Sequence, residues 1–357
     1  MNRMNVRAGG GLHYARLVYE RKPEFKATEL LHPEGRITLT DLGNGRRRLK
    51  AEVWEPGVRI PRSVWDTAYP DELIKIILAS KGPEFVCDEI MRDEDPTYIR
   101  PHLEHTVTAH FDRWDFAGAE VLDFGCGAGA STVILSSLLP GSKITGVELS
   151  ERNLAIARGR AELYGLTRTK FLLSPSGSSL PEGIGPFRAI MLSAVFEHLL
   201  PAERKTVLPM LWRMLEPGGV LFIDETPSRW FPIETHTTGL PFINYLPDGL
   251  AANYARWCSS RVGRDDSWEM MQRNGIRGGS VKEILSLLPA DDGEPILLKP
   301  ERLGIKDSLD LWERGYAGAG QPKSLKRKLV PLLRLAARFM DSTLLVPYLS
   351  LAIRKAA

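Results

Sequence analysis

Residues 121–131 read VLDFGCGAGAS, an apolar run that ends on an aspartate and passes into three glycines alternating with small residues. Few backbones accommodate such a stretch. Glycine reaches positive φ without a Cβ penalty, so the chain can turn sharply from a strand into a helix and offer backbone N–H groups to a ligand. The surrounding sequence repeats the strand–helix theme. AEVLDFG, KITGVELS, TKFLLS, FRAIMLS and VLFIDET read as strands. Between them lie the helical patterns ASTVILSSLLP, ERNLAIARGRAELYG and a third from about Ala202 to Glu216. That alternation predicts an α/β fold with a doubly wound, mostly parallel sheet. Pro209 is expected to kink or divide the third helix.

The flanks follow other patterns. Residues 1–10 read as a loose tail, and RITLTDLGNGRRRLKAEVW alternates around GNG as a β-hairpin does. Helical spacing follows in PDELIKIILASKG and DPTYIRPHLEHTVTAHFDRW, so residues 1–105 are expected to form an α+β extension. The central domain is expected over 106–305. Within it residues 227–262, rich in aromatics and prolines, read as a lid or substrate wall.

Residues 306–357 are expected to form basic amphipathic helices. From 322 onward there are eight Lys or Arg against Asp341 alone. On a helical wheel Arg327, Arg334 and Arg338 share one face, while Leu329, Leu332, Leu333, Ala336 and Met340 share the other. Such a helix lies on an anionic membrane surface or packs on protein, in this chain or in a second copy as a homodimer. Pro331 is expected at its start. STLLVPYLSLAIRK is apolar but too short to span a bilayer.

With 357 residues there is room for one large domain or two smaller ones, and a net charge of +3 gives no argument for nucleic acid. Three cysteines without a CxxC pair argue against a zinc site or a disulfide scaffold, so no metal is expected. The N-terminus lacks the apolar core of a signal peptide, and the expectation is a cytoplasmic protein.

Gly125-x-Gly127-x-x-Ala130 also fits a dinucleotide-binding turn, and Glu148 on the next strand suits a ribose diol in either kind of site. Asp123 discriminates, because a carboxylate ahead of the turn disfavours a pyrophosphate and favours a cationic, phosphate-free ligand. In order along residues 118–226 come VLDFGCGAGAS, ITGVELS, LSAVFEHL and LEPGGVLFIDET. With these the chain resembles the class I S-adenosylmethionine-dependent methyltransferases.

The resemblance implies a seven-stranded Rossmann-like sheet, methyl transfer, and S-adenosylmethionine as cofactor. It also implies roles. Backbone around Gly125 and Gly127 lines the methionine part, with Cys126 filling the loop and Gly129 tightening the turn. Asp123 orients the amino group through water, Glu148 holds the ribose diol, Leu149 packs on adenine, and Ser193 lies beneath the sulfonium. Relatives carry an acid after strand three for the adenine amino group. Here SPSGSSLP leaves Ser176 to act through its hydroxyl or backbone, and Phe187-Arg188 replaces the usual FD opening of strand four.

A hydroxyl acceptor needs a base, and an imidazole suits that task near neutral pH. His236, His198 and Glu225 are the catalytic candidates, at the sheet edge and in the lid. Each also has a structural reading: Glu197-His198 as a loop-building pair, Glu225 as a local cap, His236 as a hydrogen-bonded lid residue. Tyr98 either closes over the cofactor or packs in the core. Phe231, Phe242 and Tyr245 are candidate substrate walls. No NPPY-like segment follows strand four, so a nucleic-acid acceptor is not expected. The expected acceptor is a hydroxyl of a small molecule, glycan or glycolipid. The alternatives are a lipid, a quinone or a protein side chain, or a SAM-binding regulator without catalysis.

Overall fold

The computed structural model describes residues 27–55, 60, 62–315 and 323–357, and of residues 323–329 the backbone alone. The tail expected at residues 1–10 lies outside them. The expected hairpin forms β2 (Gly35–Gly43) and β3 (Arg46–Val53), flanked by β1 (Ala27–His32) and β4 (Val64–Thr67) in the antiparallel order β1-β2-β3-β4. Asn44 and Gly45 close the turn at φ 54° and 72°, a pairing whose twist matches the strands it joins. Ile37, Leu39, Leu49 and Ala51 alternate inward and meet Leu73, Ile74 and Ile77 of α1 (Asp71–Lys81) and Ile90 of α2 (Val86–Glu94). Ala128 and Ile156, from the central domain, complete this same core. The N-terminal extension is therefore fused to the domain through shared apolar packing.

The central sheet begins after α3 (Arg100–Thr108) with β5 (Glu120–Phe124), α4 (Ala130–Leu138), β6 (Lys143–Glu148), α5 (Glu151–Leu163) and β7 (Thr169–Leu173). It continues through β8 (Phe187–Ser193), α6 (Pro201–Arg213) and β9 (Leu215–Pro227). The lid segment carries α7 (Asp248–Cys258), then come α8 (Trp268–Arg273), α9 (Val281–Ser286) and β10 (Pro295–Leu297). The chain closes with α10 (Ser308–Gly315), α11 (Lys323–Ala336) and β11 (Tyr348–Lys355). Strand order is β10-β11-β9-β8-β5-β6-β7, seven strands of which β5 to β9 run parallel, as expected. The order reverses between β5 and β8, which opens a crevice at their carboxyl ends.

Four expectations are corrected. Pro209 does not divide α6, which is one continuous helix with the proline inside it, because Val207, Leu208, Leu211 and Trp212 bury both halves against the sheet. The boundary at residue 105 falls within α3, which packs on α4, β9 and α10. Residues 348–355 are not helical. They form the antiparallel strand between β9 and β10, so the domain runs to the end of the sheet rather than to 305. An apolar run of this length is compatible with a buried strand or a buried helix, and periodicity does not separate the two.

The fourth concerns α11, which starts at Lys323 and contains Pro331. Arg334 turns inward to pair with Asp307, Asp310 and Glu313 of the α10 region. Leu333 and Ala337 pack on the core, whereas Leu332, Leu335 and Phe339 point outward. The side chains of Arg327 and Leu329 lie outside the described residues. No helix among the described residues is long and apolar enough to cross a membrane.

Candidate active site

The glycine loop takes the left-handed backbone that its composition demands, with φ of 69° at Gly125, 53° at Gly127 and 85° at Gly129. A Cβ on Gly129 would lie 2.7 Å from that of Ala157, so this glycine also lets α5 pack against the turn. Cys126 fills the remaining space. Its sulfur faces Gly146, where a Cβ would sit 2.9 Å away, and burial pushes the thiol far up, away from nucleophilic use.

Asp123 lies in β5, just ahead of the glycine loop. It is buried behind the loop, where its Oδ2 accepts hydrogen bonds from Ser131 Oγ (2.7 Å) and Thr132 Oγ1 (2.6 Å). Burial pushes its carboxyl up to about 6, against the effect of those donors. The carboxylate anchors the first turn of α4, and it lines neither of the cavities described below. Glu148 does face the site. Its Oε2 accepts from the Gly127 N–H (3.1 Å) and its Oε1 from the Ser150 N–H (3.0 Å), which fixes it at the rim.

Two cavities meet at the loop, sharing Gly125 and Ala194 as walls. One, of about 330 Å³, is mainly apolar and is lined by Glu148, Leu149, Ser176, Val195, His198 and Leu199 among others. Leu149 remains 56% exposed there, an apolar surface open to a flat ring. Ser176 stands at the wall with its Oγ 2.7 Å from Ser179 Oγ. The second, of about 280 Å³, is polar and is lined by Lys81, Glu89, Arg92, Ser131, Ser193 and Glu225 besides the loop itself.

The pair fits S-adenosylmethionine: an apolar chamber with a carboxylate at its rim for adenosine, and one with both charge signs for the amino-acid zwitterion. Lys81 and Arg92 come from α1 and α2, so the extension supplies part of the polar cavity's wall. Sequence reasoning missed them because basic residues in the last turn of a helix also read as compensation of the helix dipole.

Glu225 has φ 58° and lies 3.9 Å from His102 Nε2. Burial and the adjacent Asp224 push its carboxyl up to about 7. Tyr98 lines neither cavity. Its hydroxyl donates to Asp88 Oδ1 (3.0 Å), its ring packs against the Leu103–Ile134 core, and burial pushes it up to about 12.

The remaining candidates divide into two places. His198 and His236 come together with ring centroids 5.5 Å apart, whereas Glu225 faces the polar cavity. Glu197 joins the histidines. It is fully buried, with Oε2 accepting from Thr226 Oγ1 (3.2 Å), Oε1 unpartnered, and its carboxyl pushed up to about 8, chiefly by burial. His198 Nδ1 lies 2.6 Å from the Arg273 carbonyl, so Nδ1 carries the proton and Nε2 faces Glu197 Oε1 at 3.8 Å. Burial and the neighbouring His198 hold His236 below the usual imidazole value, so it is neutral at neutral pH. The ligand atoms of Glu197, His198 and His236 lie within 4.8 Å of one another, close enough to hold a divalent cation.

Glu234, also unforeseen, sets His236 in place. Its carboxylate accepts the backbone N–H groups of His236 (2.8 Å), Thr237 (2.9 Å) and Thr238 (2.5 Å). The signal was an acid heading the polar run ETHTT, the composition of a side-chain-capped turn. The lid aromatics lie away from the two cavities. Phe242 is 62% exposed and Tyr245 stacks on Trp230 at the surface, while Phe231 lines neither cavity.

A family model described as a methyltransferase domain matches residues 121–219. Ubiquinone biosynthesis O-methyltransferase of Caulobacter vibrioides is 32% identical over 155 residues, 38% of this chain and 60% of that protein. Trans-aconitate 2-methyltransferase of Variovorax paradoxus is 34% identical over 209 residues, 52% of this chain and 76% of that protein. The same enzyme of Methylobacterium radiotolerans is 33% identical, over 60% of this chain and 84% of its own. Sheet order, glycine loop, paired cavities and these likenesses agree: the chain belongs to the class I methyltransferases, with S-adenosylmethionine as its cofactor.

Proposed function

We propose that this protein methylates a hydroxyl of a small molecule, glycan or glycolipid, and that the Glu197–His198–His236 group takes up the acceptor proton. The observation that carries this reading is a neutral, half-buried His236 beside His198, which itself lines the apolar cavity. A matching relative named as an O-methyltransferase supports the oxygen acceptor. The bound cofactor supplies a methyl group that is already activated, which leaves the chain to position the partners and manage one proton. Lys81 and Arg92 would bind the carboxylate end, Glu225 the ammonium, and Glu148 the ribose.

His236→Gln is expected to lower kcat by about 10²–10⁴-fold, with the calorimetric affinity for S-adenosylmethionine unchanged within roughly twofold. An unchanged kcat would remove His236 from the reaction. Incubating cell extract with labelled methyl donor identifies the acceptor class by whether lipid, polysaccharide, protein or small-molecule fractions carry label. Cofactor binding with label in none of them would favour the non-catalytic regulator.

The Glu225 assignment has a pH signature. Its carboxyl is neutral below about 7 and charged above, and only the charged form attracts an ammonium. Cofactor affinity is therefore expected to fall on acidification from pH 8 to 6, approaching about tenfold per unit. Glu225→Gln should flatten that dependence. A wild-type affinity constant over this range would count against the ammonium contact.

A further inference from the structure

Beyond the cofactor cavities lies a third, of about 300 Å³, which shares Leu199 with the apolar one. Arg204, Arg229 and Arg277 line it together with Asp248 and Glu283. Two of the three guanidinium groups are already matched. Arg204 donates to Glu283 Oε1 (2.9 Å) and to the Leu199 carbonyl (2.9 Å). Arg277 donates to Asp248 Oδ1 (2.7 Å) and to the carbonyls of Asn244 and Leu246. Each acid thus offsets one arginine.

The Arg229 side chain makes no hydrogen bond or ion pair among the described residues, although it is half-buried. Burial and the like charges of Arg277 and Arg204 hold it below the usual guanidinium value, an effect that Glu283 and Asp248 offset only in part. It nonetheless stays charged at any physiological pH. A partly desolvated cation among like charges disfavours the folded state unless something else compensates it. Its placement is not loose, since its backbone N–H is bound to the Gly279 carbonyl (2.8 Å) two residues past β9. That is the carboxyl edge of the sheet, where substrates of such folds enter. A guanidinium fork matches a carboxylate or phosphate in two parallel hydrogen bonds.

We propose that Arg229, framed by Arg204 and Arg277, is an anion subsite that holds a carboxylate or phosphate group carried by the methyl acceptor. The site is a feature of this chain's geometry; assigning its anion to the acceptor rests on the methyl-transfer reading above.

The test titrates inorganic phosphate and, separately, citrate into the full chain by calorimetry, with and without S-adenosylhomocysteine. A single saturable site is expected, weakened at least tenfold in Arg229→Met and only partly in Arg229→Lys. Without added anion Arg229→Met should melt no lower than wild type, and the anions should raise the melting temperature of wild type alone. Tighter phosphate binding points to a phosphorylated acceptor, and tighter citrate binding to a carboxylated one. No saturable binding of either anion, equal binding to Arg229→Met, or a clear drop in that variant's melting temperature without anion would overturn the subsite. Should the anions bind at Arg229 while no fraction of the extract takes up label, the subsite stands and the methyl-transfer reading falls.

Discussion

A chain ending at Pro347 is expected to lose its cooperative thermal transition and to accumulate as aggregate. The missing residues form β11, which separates β9 from β10 in the sheet. Leu349, Leu351 and Ile353 are almost completely buried there. At about 1.5–3 kcal/mol for each such side chain, their loss amounts to roughly 5–9 kcal/mol. That is comparable with the whole stability of a typical domain, about 5–15 kcal/mol. Polar losses add to it. Ser350 Oγ donates to Asp224 Oδ1 (2.6 Å), and Lys355 Nζ donates to the carbonyls of Trp212 and Leu215 (both 3.1 Å). The exposed flank of β9 would also become an unprotected edge. Calorimetric melting and near-ultraviolet circular dichroism check the result. A truncated chain with native melting would mean that this segment is the dispensable tail its charge pattern resembles.

Arg160→Ala is expected to destabilise the protein by about 3–5 kcal/mol, read as the shift of the urea midpoint at constant slope. The guanidinium is fully buried, donates to Tyr69 Oη (2.8 Å), Glu89 Oε1 (2.9 Å) and the carbonyls of Ala128 and Glu89, and pairs with Asp93 (3.1 Å). Removing it leaves the carboxylates of Glu89 and Asp93 in the interior without the guanidinium they share. Burial works against ionisation of Glu89, yet Arg160, Arg92 and Lys81 together hold its carboxyl below the usual range. The folded value lies under the unfolded one, so this contribution is complete at neutral pH. It disappears as pH falls through the folded value. Arg160→Ala should therefore show a shallower acid-side loss than wild type. The same residue joins α5 to α2, so the variant should also bind S-adenosylmethionine more weakly through displaced Arg92. A midpoint shift worth under 1 kcal/mol would show that the extension is held by its apolar core alone.

This network bears on how the site is read. Glycine loop, Glu148 and Leu149 were legible because each is local, the loop in its composition and the other two at the end of a strand one helix further on. Lys81 and Arg92 were not legible, since nothing near them in the chain marks a ligand. Asp123 shows the converse. It stands where an acid is expected, and its Oδ2 is taken up by Ser131 and Thr132, so a residue type and a position did not specify what the carboxylate bonds to. Glu197, His198 and His236 were legible singly, but Glu234, which aims His236, and the gathering of the other three into one group became visible only through burial and partners.

Short-range chemistry accounts for the five parallel strands, the helices between them and the hairpin at Asn44-Gly45, because turn residues and apolar periodicity act within one element. Assembly chose the rest: the insertion of β11, the fusion of the extension, the inward turn of Arg334 and the unpaired state of Arg229 among the described residues. The physical cause is separation along the chain. Asp224 accepts from Thr106 Oγ1 at 2.8 Å across 118 residues and from Ser350 Oγ across 126. Most buried polar atoms are paired with a partner somewhere in the fold, and a window of neighbouring residues holds no record of one so distant.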